Sequence, residues 1–231
     1  MKLLLVVLLA FAPVAAHAAD KAPKAKKNQA IVAPNFAEYG IVSIGMAPVT
    51  SFDHNEANER EFRNAVEIGF GTLEGYKLQQ TSWFIDSVRK AGAINALATL
   101  EKTAFAGAPS DTAALAAIQG KVQVDAILFS NLGTWTRQVV DVNTRGQSFT
   151  QVGGDFALVS LRNGAVVWRG SFLEKGDGPY NDPNTAEVTE RDATGNSTAR
   201  QAQLEPPSYR EVLEKLVNRV RGTLPKPPAK S

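Results

Sequence analysis

Apolar residues recur at helical intervals through most of the first half of the chain, whereas after residue 124 they alternate or run together as in strands. We predict helices in "SFDHNEANEREFRNAVEIGFGTLEG", "TSWFIDSVRKAGA", "SDTAALAAIQGK" and "SYREVLEKLVNRVRG". Strands are predicted in "IVSIGM", "YKLQQ", "VDAILFSNL", "TWTRQVVDV", "FTQVGGDFALVSLR" and "AVVWRGSF". This order predicts an α/β fold, in which helices pack on a mixed β-sheet that ends in a C-terminal meander.

The clearest local signal is the Asn163-Gly164 dipeptide between two apolar runs. Such a pair predicts a hairpin with a two-residue type I′ turn. That turn would place Val159 opposite Trp168 and Ala157 opposite Gly170. The face carrying these residues is expected to form the core, and the other face to be partly covered.

Two helices carry recognisable end signals. Ser208 and Glu211 have the spacing of a capping box, and Gly222 is expected just beyond the end of that last helix. Asp53 is expected to cap the first helix, with Glu56 as its capping-box partner.

The N-terminus has the pattern of a secretory signal peptide, residues 1–18. Lys2 precedes a continuous apolar run, and Ala16-His17-Ala18 supplies small residues at a cleavage site after Ala18. An uncleaved anchor would need about 20 apolar residues, which is longer than this run. The Ala-, Lys- and Pro-rich residues 19–36 are expected to form a flexible leader.

The remaining chain is expected to form one α/β domain, residues 37–225, followed by a flexible tail at 226–231. Within this domain, residues 174–207 show no hydrophobic period and contain several Gly, Pro and charged residues. A long loop of this kind in a compact domain is usually functional or disordered.

The composition limits where in the cell the protein is expected and which class of molecule it is expected to bind. The chain has no cysteine, so it has neither disulfides nor the lipid-bearing cysteine of a bacterial lipoprotein. Its formal net charge is +2, and no basic face indicates nucleic acid. We therefore expect a periplasmic or secreted protein without a stable membrane anchor. A basic cluster in the leader fits a solvated tether better than a lipid contact (Lys21, Lys24, Lys26, Lys27).

The titratable inventory offers little catalytic chemistry. His54 is the only histidine that remains after signal cleavage, so a Ser-His-Asp site would have to use it, and zinc sites built from Cys and His are excluded. A hydrolase using His54 is kept as a minor alternative. Asp177, Asn181 and Asp182 are weak candidates for binding Ca²⁺ through oxygen ligands, although such residues are also common in turns. No cofactor is predicted.

The aromatic residues divide between core and surface. Trp168 is expected in the core because it lies in the hairpin, and Trp83 is a possible core residue of the second helix. Trp135 is expected to be the most exposed tryptophan and alternates with Arg137. Together with Tyr180, Trp135 and Arg137 are the candidates for contacting a partner protein.

Several of these segments resemble the CsgG, LpoB and TolB amino-terminal group of envelope proteins. The resemblance is carried by "IVSIGMAPV", "LEGYKLQQTSWFIDSVRKAG", "VDAILFSNLGTW" and "LRNGAVVWRGSF", and covers roughly residues 39–173 and 208–225. It implies a TolB N-terminal-like fold and a non-enzymatic role, with no catalytic residues. The chain departs from the many lipoproteins of the group because it lacks their cysteine.

These observations favour a soluble, non-enzymatic periplasmic adaptor or scaffold that binds another cell-envelope protein. A periplasmic small-ligand or Ca²⁺-binding module is the alternative, with the 174–207 segment as a lid. The sequence leaves the identity of the partner open, and also whether the chain forms a homo-oligomer.

Overall fold

A computed structural model describes residues 28–183 and 204–227, and the predicted mixed α/β fold is confirmed. The strands are β1 (Gln29–Val32), β2 (Ser43–Met46), β3 (Thr50–Ser51), β4 (Lys77–Gln79), β5 (Ala126–Gln138), β6 (Gly146–Ser160) and β7 (Val166–Asn181). The α-helices are α1 (Glu56–Gly71), α2 (Thr81–Lys90), α3 (Ile94–Ala106), α4 (Thr112–Ile118) and α5 (Tyr209–Thr223), and a short 3₁₀ helix spans Phe36–Tyr39. The expected signal peptide lies outside the described residues. Among the described helices, none has the length and apolar character needed to cross a membrane.

All seven strands belong to one sheet, with the order β1-β7-β6-β5-β2-β4 and β3 paired with β5. β2 pairs parallel with β4 and β5, and β3 pairs parallel with β5. The pairs β5–β6, β6–β7 and β7–β1 are antiparallel. The connection from β2 to β4 contains α1 and leads towards the β4 edge of the sheet. The connection from β4 to β5 contains α2–α4 and leads in the opposite direction, towards the centre of the sheet. Because crossovers of this kind are right-handed, opposite directions place their helices on opposite faces.

The part of the sheet between the helices is consequently buried on both faces, by two separate apolar clusters. Cluster one lies between the sheet, α1 and α5, and includes Phe62, Val66, Phe70, Leu158, Trp168, Phe172, Leu213 and Leu216. Cluster two lies between the sheet and α2–α4, and includes Phe84, Leu97, Leu100, Ile118, Ile127, Phe129, Ala157 and Val159. The expectation that the hairpin face assigned to Phe156 and Leu158 would be only partly covered is wrong for these two residues, which are both buried. Arg169 and Ser171, assigned to the same face, are half-buried.

The hairpin register differs from the predicted one. Val159 pairs with Val166, and Leu158, not Val159, is opposite Trp168. A bulge separates these two pairs, so the register changes within the hairpin. With apolar residues on both faces, the hydrophobic pattern could not select a register, because a one-residue slip still buries apolar side chains. Trp168 itself is in the core as predicted, with no exposed surface.

The turn of this hairpin is not the predicted type I′ turn. That type needs positive φ at both central residues, but of the two only Gly164 has one, at 74°. The N–H of Gly164 donates to the carbonyl of Ser160 (2.9 Å), so the connection is longer than two residues. The hydroxyl of Ser110 donates to the carbonyl of Gly164. This contact from the helical layer shapes the turn, and local sequence does not report it.

Two segments expected to be irregular are partly strand. The leader prediction is wrong for Gln29–Val32, which pair with β7 as β1. The loop prediction is wrong for residues 174–181, which continue β7 along β6. In both cases the neighbouring strand supplies backbone partners to a segment whose own composition does not favour a strand. The rest of the predicted loop, 184–203, lies outside the described residues.

The helix ends are partly as expected. The capping box of Ser208 and Glu211 is confirmed, but Gly222 lies inside α5, which extends to Thr223. The cap of α1 is Asn55, whose side chain accepts from the N–H groups of the next turn, and not Asp53. The sequence pattern also missed α3 as a separate helix. Its mostly Ala-, Leu- and Thr-containing face gave no clear period.

Candidate functional site

The last three long strands extend beyond the helices of cluster two. α2–α4 cover this side of the sheet as far as Phe129 and Ala157. We call the part beyond them the distal sheet: 133–138 of β5, 146–155 of β6 and 171–181 of β7. Its face on the side of cluster one is the covered face, and its opposite face is the open face.

A bulge at Gly133 determines which side chains of β5 lie on which face. Leu132 pairs with Gly154 and Thr134 with Gly153, so β5 has one extra residue. The bulge is therefore on β5, opposite Gly153-Gly154 of β6. The extra residue shifts the alternation of side chains by one. Trp135 therefore lies on the same face as Leu132, although it is three residues away.

Trp135 and Arg137 hold the segment before α5 against the covered face. The Trp135 ring stacks on Tyr209, with ring centroids 4.3 Å apart. Arg137 donates to the carbonyl of Pro207 (3.3 Å) and forms an ion pair with Glu205. Both predicted partner contacts are brought together, but their side chains are half-buried and engaged within the chain. The expectation that Trp135 is the most exposed tryptophan is wrong, because Trp83 is 71% exposed.

Tyr180 lies elsewhere, at the far end of the distal sheet. Tyr180 pairs with Gln147 of β6, whereas Arg137 pairs with Thr150 of the same strand. Gln147 and Thr150 are three residues apart, which is roughly 10 Å along a strand. The hydroxyl of Tyr180 accepts from Nε of Arg145 (2.9 Å), and Arg145 also pairs with Asp182 at 3.3 Å. Tyr180 is nevertheless 58% exposed, so it is available for contact.

The three candidate calcium ligands have other partners. The side-chain amide of Asn181 donates to three carbonyl oxygens of the 141–144 turn, at 2.8–3.2 Å. Asp177 forms an ion pair with Lys175 at 2.5 Å, and Asp182 forms one with Arg145. Within residues 28–183 and 204–227, no group of three or more His, Cys, Asp or Glu side chains could hold a metal ion.

A recess of about 260 Å³ lies at the base of the open face. Gly153 lies in its wall, where glycine allows the close approach of β7, because a Cβ would lie 2.5 Å from the side chain of Leu173 and 2.9 Å from a backbone oxygen. Among the described residues, Asp155 is the only charged one that lines it, and the Ser171 hydroxyl donates to its carboxylate. The lining residues are Gly133, Thr134, Gly153, Gly154, Asp155, Ser171, Phe172 and Leu173.

Sequence reasoning did not identify this recess. The Gly153-Gly154 pair is the local signal that could have indicated it, because two glycines within a strand mark a bulge or a close approach of another backbone. The recess forms because residues from three strands meet there, and their registers are set by the bulge at Gly133.

His54 lies away from this region, in the connection between β3 and α1. It is exposed and has a left-handed backbone, with φ of 51°. In the part of the chain that the structure describes, no hydroxyl or carboxylate is hydrogen-bonded to it. The arrangement therefore lacks the nucleophile and the orienting acid that a hydrolase using His54 would need.

Comparison with known proteins gave structural similarities only. No family model matches the chain, and no curated protein matches it. Lipoprotein GNA1162 from Neisseria meningitidis is 17% identical, with a TM-score of 0.39, over 78% of this chain and 99% of that one. The hypothetical protein CT253 from Chlamydia trachomatis is 11% identical, with a TM-score of 0.44, over 79% and 97%.

The C-terminal domain of LpoB from Salmonella enterica, a member of the expected group, is 16% identical, with a TM-score of 0.27, over 62% of this chain and 84% of that one. All three TM-scores are below 0.5, so these similarities assign no function to the chain.

Proposed function

We propose that this chain is a non-enzymatic, protein-binding module of the cell envelope. It acts in the periplasm as an adaptor or scaffold and contacts an envelope protein through the open face of its distal sheet. The observation that carries the proposal is the recess around Gly153 and Asp155 on a sheet face that the described helices leave uncovered.

The two faces of the distal sheet differ in their availability. On the covered face, Thr150 donates to the carbonyl of Pro207 (2.6 Å), next to the contacts of Trp135 and Arg137. That face is therefore already occupied. On the open face, Thr136, Lys175 and Asp177 are exposed. Trp135 and Arg137 consequently act by positioning the segment before α5, whereas Tyr180 is the remaining direct contact.

The open face has the mixed character of a non-obligate interface. Lys175 lies over the ring of Phe149, 4.7 Å from its centroid, and a carboxylate faces the recess. A partner side chain that donates hydrogen bonds, such as an amide, a hydroxyl or a basic group, would suit Asp155.

The experiment is an affinity pull-down of the tagged mature chain from detergent-solubilised envelopes after brief crosslinking. We expect one dominant envelope protein with the wild type, and its loss with the double variant Asp155→Asn and Tyr180→Ala. The matched control is Ile68→Ala, which removes an exposed side chain on α1. Thermal melting of each variant verifies folding.

Capture of the same protein by the double variant would place the interface elsewhere. Capture of no envelope protein by the wild type would reject the adaptor role.

A small-ligand-binding role is the second candidate, and the recess itself favours it. Its volume is below the roughly 300–1,000 Å³ of ordinary ligand pockets, so it would take only a small polar molecule. A ligand screen by thermal shift, with Asp155→Asn as the control that removes the charge of the recess, tests this role. A stabilising compound should lose its effect in that variant.

A further inference from the structure

The outer edge of β5 is left open along the distal sheet. β2 and β3 pair with β5 only up to Leu132, whose carbonyl accepts from the N–H of Phe52. From Gly133 to Gln138, no strand in the described part of the chain pairs with this edge. Open edges of this kind offer backbone hydrogen bonds to another strand.

The bulge determines which backbone groups face outward. The backbone of Leu132 faces the outer edge, because it accepts from Phe52 there. Backbone groups in a strand point alternately to either side, and the extra residue at Gly133 shifts this alternation by one. The N–H and C=O groups of Trp135 and Arg137 therefore face the open edge, and those of Thr136 face β6.

The opposite edge of the distal sheet, formed by β7, is better protected than the β5 edge against pairing with another strand. There, Lys175 and Pro179 lie on β7, and both residue types discourage edge-to-edge pairing. Asn28 also accepts from the N–H of Leu173 through its side chain (2.7 Å). The β5 edge has no proline, and its only charged side chain, Arg137, is turned onto the covered face.

We propose that a second copy of this chain pairs with β5 at this edge, antiparallel and with Thr136 on a two-fold axis. The segment is complementary to itself in that register. On the open face, Thr134 meets Gln138, and these two polar side chains can form a hydrogen bond. On the covered face, Trp135 lies opposite Arg137, and each keeps its contacts within its own chain. The outward backbone groups of Trp135 and Arg137 then bond reciprocally across the axis, as an antiparallel ladder requires.

Two exposed apolar residues at the ends of the edge support the same register. Phe52 is 66% exposed and lies beside Leu132, and Val139 is 38% exposed and follows the last residue of β5. Because β3 already lies beside Leu132 on this edge, the ladder between the copies ends at the Thr134–Gln138 pair. Val139 follows Gln138 and therefore comes next to the end of β3 of the other copy. Phe52 of each copy is thereby placed against Val139 of the other, and both lose exposed apolar surface.

The pairing would join two sheets into one and leave the open faces with their recesses accessible. It is independent of the proposed function, because the edge and the open face are different surfaces.

The test uses the absence of cysteine from the natural chain. In Thr136→Cys, the two sulfur atoms would meet on the axis as a non-hydrogen-bonded pair, with Cα atoms about 4.5 Å apart. This distance suits a disulfide. We expect mature Thr136→Cys to form a disulfide-linked dimer rapidly under mild oxidation.

The matched control is Gln151→Cys, on the same face and directly opposite Thr136 in β6. Its two copies would be three strand spacings apart, about 14 Å, which is too far for a disulfide. We expect it to crosslink at least tenfold more slowly.

Sedimentation velocity of cysteine-free protein gives the second measurement. The wild type should form a concentration-dependent dimer, and Thr136→Lys should be monomeric, because two like charges would face each other on the axis. Gln151→Lys should dimerise like the wild type. A monomeric wild type would overturn the proposal, as would a dimer in which Thr136→Cys crosslinks no faster than Gln151→Cys.

Discussion

Asp125 shows how one residue connects two parts of the chain that are far apart in sequence. One of its carboxylate oxygens accepts from the N–H groups of Val42 and Ser43 and from the Ser43 hydroxyl, at 2.7–3.0 Å. The N–H of Asp125 donates in return to the carbonyl of Ser43. Burial alone would raise the pKa of Asp125, but the bonds from Ser43 and Val42 outweigh it and lower the pKa.

We predict that Asp125→Asn lowers the free energy of unfolding by about 1 kcal/mol at pH 7. This is the modest effect expected for hydrogen bonds at an exposed carboxylate. A lowered folded-state pKa means that the stabilisation is present above the pKa of an unfolded aspartate, about 3.9, and is lost as the pH falls through the folded value. Urea denaturation between pH 7 and pH 2 should therefore show the two proteins converging at low pH. A constant difference over this range would contradict the charge-dependent explanation.

At the scale of the element, the Gly133 bulge has the widest consequences. It turns Trp135 and Arg137 onto the covered face and directs their backbone groups to the open edge. Without the extra residue, these side chains would lie on the open face and would lose Tyr209 and Pro207.

We predict that deletion of Gly133 lowers the free energy of unfolding by about 3–5 kcal/mol, comparable to removing a buried aromatic residue. The matched control is Gly133→Ala, because a Cβ at this position would have no atom closer than a carbonyl oxygen at 4.0 Å. That substitution should change stability by less than about 0.5 kcal/mol. Urea midpoints measured by tryptophan fluorescence compare the two variants. Equal midpoints would show that the bulge does not position Trp135.

At the scale of the whole molecule, one sheet supports two apolar clusters. β5 and β6 contribute to both, since successive side chains point to opposite faces. Loss of packing on one face should therefore weaken the other, and the two layers should unfold together.

We predict that Phe70→Ala in cluster one and Leu100→Ala in cluster two each lower the free energy of unfolding by about 3 kcal/mol. Each variant should show one transition, with the same midpoint by tryptophan fluorescence and by far-ultraviolet circular dichroism. Ile68→Ala, at an exposed position of α1, is the control and should leave the midpoint unchanged. Separate midpoints in Leu100→Ala would indicate that the two layers unfold independently.

Local sequence determined the elements whose signals are local. The capping box at Ser208, the apolar stripe of α5 and the buried run of β5 were predictable because propensity, capping and periodicity act within a few residues. The expectations about disulfides and export likewise rest on composition and on one apolar segment, and neither depends on contacts between distant residues.

Only the tertiary structure decided the registers, the edges and the recess. β1 and the end of β7 exist because a neighbouring strand offers backbone partners, and the hairpin register was undetermined while both faces were apolar. The Gly133 bulge then set which side chains meet around Asp155 and which edge of β5 stays open. These features depend on contacts between strands that are distant along the chain, so a pattern read along one segment cannot specify them.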